Sequence, residues 1–101
     1  MNPAERVSDP TLLVLTSLAE GEKHGYAIMT DVEQFAGVKL GPGTLYGVIQ
    51  RLEERKLIEA VQSEDRRQPY RLTHNGRHYL KEQLTQLRAI SKLGLTRMEA
   101  L

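Results

Sequence analysis

Cysteine and tryptophan are absent from this sequence, phenylalanine occurs once, and proline occurs four times in 101 residues. Without cysteine there is no disulfide framework, no thiolate metal site and no cysteine nucleophile. Without tryptophan the chain lacks the broadest stacking platform for a flat aromatic ligand. No unbroken apolar run exceeds four residues, as at 12–15, far short of the ~20 needed to cross a bilayer. The opening MNPAERVSDP has no basic head leading into an apolar stretch. No secretory signal is therefore expected, and the chain is expected to be soluble, cytoplasmic and off the membrane. A nucleophile elbow and a glycine-rich phosphate loop are missing too: GPG at 41–43 precedes a helix but lacks the lysine and spacing of such a loop. No cluster of carboxylates with a positioned base stands out. Neither an enzyme nor a bound cofactor is expected.

The charge that is present is unevenly spread. Net formal charge is +1, yet residues 1–38 hold two basic and six acidic side chains, residues 39–73 seven and five, and residues 74–101 five and two. Basic charge therefore gathers in the middle and at the end. That supports a nucleic-acid surface only weakly, because a solvated helix face has similar numbers. A single domain of this length buries a modest core, so a helix that needs a partner is no surprise.

The most informative stretch is 41–72, GPGTLYGVIQRLEERKLIEAVQSEDRRQPYRL, which reads as a helix, a strand, a charged turn and a returning strand. Leu45, Val48, Ile49 and Leu52 fall at i, i+3, i+4 and i+7 and line one buried helix face. The other face carries Gly43, Thr44, Tyr46, Gly47, Gln50 and Arg51, a poor solubilising surface. It suits a helix laid in the DNA major groove. Gln50 and Arg51 are the candidates for base edges, since an amide pairs with adenine and a guanidinium with guanine. Gly43 and Gly47 let the helix backbone approach closely, while Thr44 and Tyr46 can donate to phosphate oxygens. The two strands form a wing with its tip at 63–68, placing Arg66 and Arg67 where a phosphate backbone passes; Lys39 is a weaker candidate. The plain alternatives are an ordinary amphipathic helix and a solvated turn with ion pairs to Glu64 and Asp65. Exposed pairs stabilise by less than about 1 kcal/mol, so folding alone gives little reason for two adjacent arginines there.

In chain order, Asp9 or Ser8 caps a first helix opened by Pro10 and ended by Gly21. Leu12, Leu13, Leu15 and Leu18 leave it little polar face, which suggests contact with a second subunit as well as with its own core. A second helix spans 24–36, with Ile28, Val32 and Phe35 inward, Met29 and Ala36 beside them, and Gly37 as its C-terminal cap. Residues 38–40 are expected to add a small third strand, and Gly41 then caps the recognition helix. In the wing, Ile58, Ala60 and Gln62 alternate with Glu59 and Val61, while Tyr70 and Leu72 share a face. Thr73 caps the last helix, where Leu80, Leu84 and Leu87 form a stripe widened by Tyr79, Ile90 and Leu93. With Leu12, Leu80, Leu84, Leu87 and Ile90 the pattern is that of a dimerisation seam. Gly94 is expected to end or kink this helix. His74, His78 and Glu82 lie one turn apart on one face and can in principle share a metal, but no thiolate or second cluster supports it, and a polar helix start is preferred.

Three segments, HGYAI from His24, GTLYGVIQRLEERKLIE from Gly43 and YRLTHNG from Tyr70, resemble in order and spacing the signature of the PadR-like transcriptional repressors. The resemblance covers nearly the whole chain. It implies a mostly α fold with a small β-hairpin wing, a winged helix-turn-helix over 1–73 and a C-terminal dimerisation helix over 74–101, in one compact unit. It implies a homodimer on double-stranded DNA, with two recognition helices meeting successive major-groove faces of a pseudo-palindromic operator about 34 Å apart. The tyrosine of HGY lies near the DNA backbone in the family, which implicates Tyr26; packing under the wing is its plain alternative. A small-molecule effector that relieves repression is also implied, in a pocket between the subunits to which Leu12, Tyr79 and Leu80 contribute. Two residues depart from the family pattern: Gly47 stands in place of the usual proline, and Lys56 in place of the usual glycine. The short C-terminal region resembles the compact branch that lacks a separate helical domain. Alternatives from other classes are a winged-helix protein-interaction module and a metal-responsive repressor.

Overall fold

The computed structural model describes residues 9–101. Its first helix, α1 (Pro10–Leu18), starts where Asp9 Oδ1 accepts the Leu12 N–H at 2.9 Å, with Pro10 supplying a preset φ in the first turn. Ser8, the other possible cap, lies outside the described residues. α1 buries Leu13, Val14, Leu15 and Leu18 together with one polar residue, Ser17. That hydroxyl donates to Asp31 Oδ2 at 2.7 Å, and Lys23 Nζ donates to the Ser17 carbonyl, so both polar groups of Ser17 are paired; no buried side-chain polar atom among the described residues lacks a partner.

The chain continues through β1 (Lys23–His24), α2 (Gly25–Ala36), α3 (Pro42–Glu54), β2 (Ile58–Ala60), β3 (Pro69–Leu72) and α4 (His74–Glu99). Gly37 closes α2 in the left-handed region at φ 67, where its N–H bonds the Glu33 carbonyl. The expected caps at Asp9, Gly37, Gly41 and Thr73 are all present. The sheet is antiparallel with order β1-β3-β2; Ile58 faces Leu72, Ala60 faces Tyr70, and Lys23 faces Tyr70 from the other side.

The third strand is therefore not at 38–40. Val38 and Leu40 are buried in the core without joining a strand, and the free edge of β3 is already paired by Lys23 and His24. The wing's alternation also fades early: Ile58 is buried, Ala60 and Gln62 are exposed, and only Val61 is half-covered. In α2, Ile28 and Val32 enter the core and Ala36, one turn on, packs against it, but Phe35 is 47% exposed, because the inward stripe continues through Ala36 and leaves Phe35 beside it. The core itself joins α1, α2 and α3 through Leu15, Ile28, Val32, Leu45, Ile49 and Leu52, and adds Leu57, Ile58, Leu72 and Leu80 beneath the wing. Truncating any of these to alanine costs about 2–5 kcal/mol.

Helix α4 is docked at its start and free at its end. Thr73 Oγ1 accepts the Gly76 N–H at 2.9 Å and donates to the Lys56 carbonyl at 2.7 Å, and the Thr73 N–H bonds the Leu57 carbonyl. Gly76 lies so close to that carbonyl that any β-carbon would overlap it. Past Gln83 every residue of α4 is exposed. Gly94 does not end the helix, which continues to Glu99; one glycine costs only about 1 kcal/mol, and its neighbours are good helix formers. The radius of gyration, 15.0 Å, exceeds the roughly 13 Å of a compact chain this long because α4 projects. Among the described residues no helix is long and apolar enough to cross a membrane.

Candidate nucleic-acid interface

The apolar stripe of α3 goes inward as its spacing requires: Leu45, Val48, Ile49 and Leu52 are all buried. This leaves Gly43, Thr44, Tyr46, Gln50 and Arg51 outward on one continuous face, with Gly47 half-covered among them. Little within the protein engages that face. Gln50 makes one long contact, 3.4 Å, to Glu54, and Arg51 is in none of the ion pairs among the described residues. A β-carbon at Gly43 would meet nothing, and one at Gly47 would meet only the Arg51 guanidinium at 3.6 Å. Neither glycine is needed for packing in the free protein.

Helix α3 ends in a Schellman motif: the Leu57 N–H bonds the Leu52 carbonyl and the Lys56 N–H bonds the Glu53 carbonyl. The residue at the left-handed turn is Lys56, with φ 60. That is the position at which the resemblance leads one to expect glycine. The turn geometry is kept, at a cost of about 1 kcal/mol for carrying a side chain there. Arg55, just before it, stacks its guanidinium 4.8 Å from the centre of the Tyr79 ring. That contact is worth about 0.5–1 kcal/mol and ties the end of α3 to α4.

The wing tip stands beside α3. Gln68 Nε2 braces it by donating to the Val61 and Pro69 carbonyls, both at 2.8 Å, and Ser63 Oγ accepts the Asp65 N–H. Arg66 and Arg67 are exposed and form no ion pair among the described residues, with Glu64 and Asp65 or with anything else. Together with His24, Gly25, Tyr26, Tyr46 and Gln68 they line a recess of about 570 Å³. Tyr26 is 69% exposed at its mouth rather than packed under the wing. On its other side Tyr26 faces a second recess shared with Lys39.

Gly25 and His24 are the residues that sequence reasoning missed at this site. A β-carbon at Gly25 would stand 2.5 Å from Tyr46 Oη and 3.3 Å from Leu45 Cδ2, so glycine there is what lets α2 and α3 close around the phenol. His24 caps α2, its Nδ1 accepting the Ala27 N–H at 3.3 Å. Nearby, burial, helped by the charge of Glu53 and then by Tyr46, pushes the Tyr70 phenol above the ordinary tyrosine range, so it remains a neutral donor.

The other sequence-level candidates separate. Leu80 is 4% exposed and belongs to the core, so of the expected dimerisation stripe Leu84, Leu87 and Ile90 are the residues left exposed on α4. Leu12 is half-buried against that core, and Tyr79 is occupied by Arg55. Of the three residues expected at an effector pocket, Leu80 lines a recess of about 790 Å³, with Leu18, Leu84, Arg71, Arg77 and Arg88 among its walls. His78 Nε2 meets Glu82 Oε1 at 3.1 Å but His74 does not join them, and no three potential ligands gather among the described residues.

A helical core that presents its third helix outward beside a two-stranded wing defines a winged-helix DNA-binding protein. The chain belongs to the PadR-like family of transcriptional regulators, whose family model matches residues 14–82. It is 41% identical over 86 residues to an uncharacterised 37.1 kDa protein in transposon TN4556 of Streptomyces fradiae. The match covers 85% of this chain but only 25% of that protein, so the chain spans a quarter of its relative's length. A PadR family transcription regulator from Clostridium difficile R20291 superposes with a TM-score of 0.76 at 27% identity, covering 82% of this chain and 91% of that one. A PadR-like regulator from Bacillus cereus shares the fold, with a TM-score of 0.81 at 20% identity and 94% of each chain covered.

Proposed function

We propose that the chain represses transcription as a two-fold homodimer that reads a pseudo-palindromic operator with α3 and holds the flanking backbone with its wing. The observation that carries the reading is one surface that joins an uncommitted, donor-rich helix face to two arginines with no ion-pair partner among the described residues. Gln50 and Arg51 read bases, Thr44 and Tyr46 donate to phosphates with Tyr26 and Lys39 beside them, and Gly43 and Gly47 admit the backbone. The homodimer is supported by the apolar residues that α4 holds clear of its own domain, Leu84, Leu87 and Ile90. Burying such side chains is worth about 1.5–3 kcal/mol each. Repressor release by a small molecule needs only an effector that binds the form with the wrong spacing between wings more tightly. Leu80, which the core and the 790 Å³ recess share, is the residue through which such a ligand acts.

Measuring affinity against salt concentration tests the assignment. Replacing Arg66 and Arg67 together by alanine should weaken binding to every duplex and reduce the salt slope by about two. Arg51→Ala should relax preference at one base pair per half-site and leave the others intact. If neither substitution alters DNA binding, the assignment of this face is wrong.

A further inference from the structure

His24 has a second role that its capping contact makes possible. Because Nδ1 accepts the Ala27 N–H, the neutral ring carries its proton on Nε2. That nitrogen lies 3.2 Å from Arg67 Nη1. A guanidinium has only donors to offer, so with this tautomer two N–H groups meet and neither finds an acceptor in the other. The remaining walls of the recess supply no carboxylate: they are Gly25, Tyr26, Tyr46, Arg66 and Gln68. Nor does Arg67 pair with any carboxylate among the described residues. What satisfies both donors is an oxygen of an anion placed between them.

We infer that His24 and Arg67 close together on one phosphate of the DNA backbone, His24 donating from Nε2 and Arg67 from its guanidinium. This rests on the DNA-binding reading of the surface and adds to it a contact from the start of α2, opposite the wing. The division of labour follows from position. Arg67 sits on the wing hairpin and brings charge; His24 sits in the cap of α2 and is oriented by it, so it fixes where the phosphate stands relative to α3. A neutral imidazole is enough, and the contact needs no protonation of the ring.

The test uses two variants and one modified duplex. His24→Asn keeps a favoured helix cap but withdraws the Nε2 donor; its thermal melting reports whether the fold is intact. We expect His24→Asn and Arg67→Ala each to weaken operator binding about tenfold, as loss of a hydrogen bond to a charged group does. Because they share one phosphate, the double variant should bind within about twofold of the weaker single one rather than a hundredfold below the original. A scan with neutral methylphosphonate linkages should find one position that weakens the original protein about tenfold and Arg67→Ala hardly at all. This last comparison involves only an exposed arginine and does not depend on the His24 variant folding.

Unchanged affinity of a folded His24→Asn, losses that multiply in the double variant, or a methylphosphonate effect that persists undiminished in Arg67→Ala at every position would each overturn the shared grip. In each case operator binding by α3 would still stand. Failure of the original protein to bind any duplex would instead remove the DNA-binding reading, and this inference with it.

Discussion

The two halves of α4 obey different constraints. From His74 to Leu80 the helix is locked to the turn after α3: Thr73 is bonded to Lys56 and Leu57, Gly76 abuts the Leu57 carbonyl, and Leu80 enters the core. From Leu84 onward its side chains are exposed, and Ile90 reaches 66% exposure. The apolar stripe runs from Leu80 through Leu84 and Leu87 without a break, so amphipathicity alone does not say which of its residues enter the core and which stay exposed. What distinguishes them is reach: a 26-residue helix is about 39 Å long, and the domain beneath it ends before the helix does. The docked half is also what ties α4 to the end of α3, where Arg55 stacks on Tyr79 and the Lys56 carbonyl accepts from Thr73.

Substitutions that act on one half and spare the other sharpen this contrast. The largest effect is expected from Leu84→Asp combined with Leu87→Asp. The dissociation constant of the proposed dimer, measured by sedimentation, should rise by roughly a hundredfold or more, while thermal unfolding of the monomer changes by less than about 1 kcal/mol. A dimer of unchanged affinity would show that the outer half is not the seam. Next comes Gly76→Ala in the docked half. Its β-carbon would overlap the Leu57 carbonyl, so chemical denaturation should report a loss of about 2–3 kcal/mol. Gly94→Ala in the free half should instead stabilise by up to about 1 kcal/mol, because nothing surrounds that position.

Lys56→Gly is expected to stabilise by about 1 kcal/mol, since it relieves a side chain at φ 60 without removing a backbone bond. A loss of stability would mean that the lysine makes a contact worth more than the strain. The smallest effect concerns Tyr70. Its folded pKa lies above the unfolded value of 10.0, so the folded state holds the phenolic proton more tightly. The resulting stabilisation is fully present below about pH 10 and is lost as pH rises through the folded value. Tyr70→Phe should flatten that alkaline limb of the stability profile and leave neutral pH nearly unaffected.

Much of this site was legible because it is local. The inward stripe of α3, the caps at Asp9, Gly37, Gly41 and Thr73, and the exposed arginines of the wing all follow from spacing or turn chemistry within a few residues. The rest depends on partners far away in sequence. The two-residue strand at Lys23 and His24 has no period to detect and exists because β3 has an open edge. Gly25 and Gly76 are glycine because of Tyr46 and Leu57, 21 and 19 positions away. Phe35 and Ala36 both matched the helical spacing of Ile28 and Val32, but periodicity alone does not say how wide the buried stripe is. His24 stood in the motif that carried the family resemblance, yet histidine is an unusual helix cap, and its approach to Arg67 spans 43 residues.

The measurement that bears most directly on the account is selection of bound sequences by the purified protein from a pool of random duplexes. Two enriched half-sites related by a dyad, with centres about 10 base pairs apart, are the expected result, since that spacing places two α3 helices on one side of the duplex. Recovery of a lone half-site, or of no enriched sequence at all, would contradict a two-fold reader built from α3 and the outer half of α4.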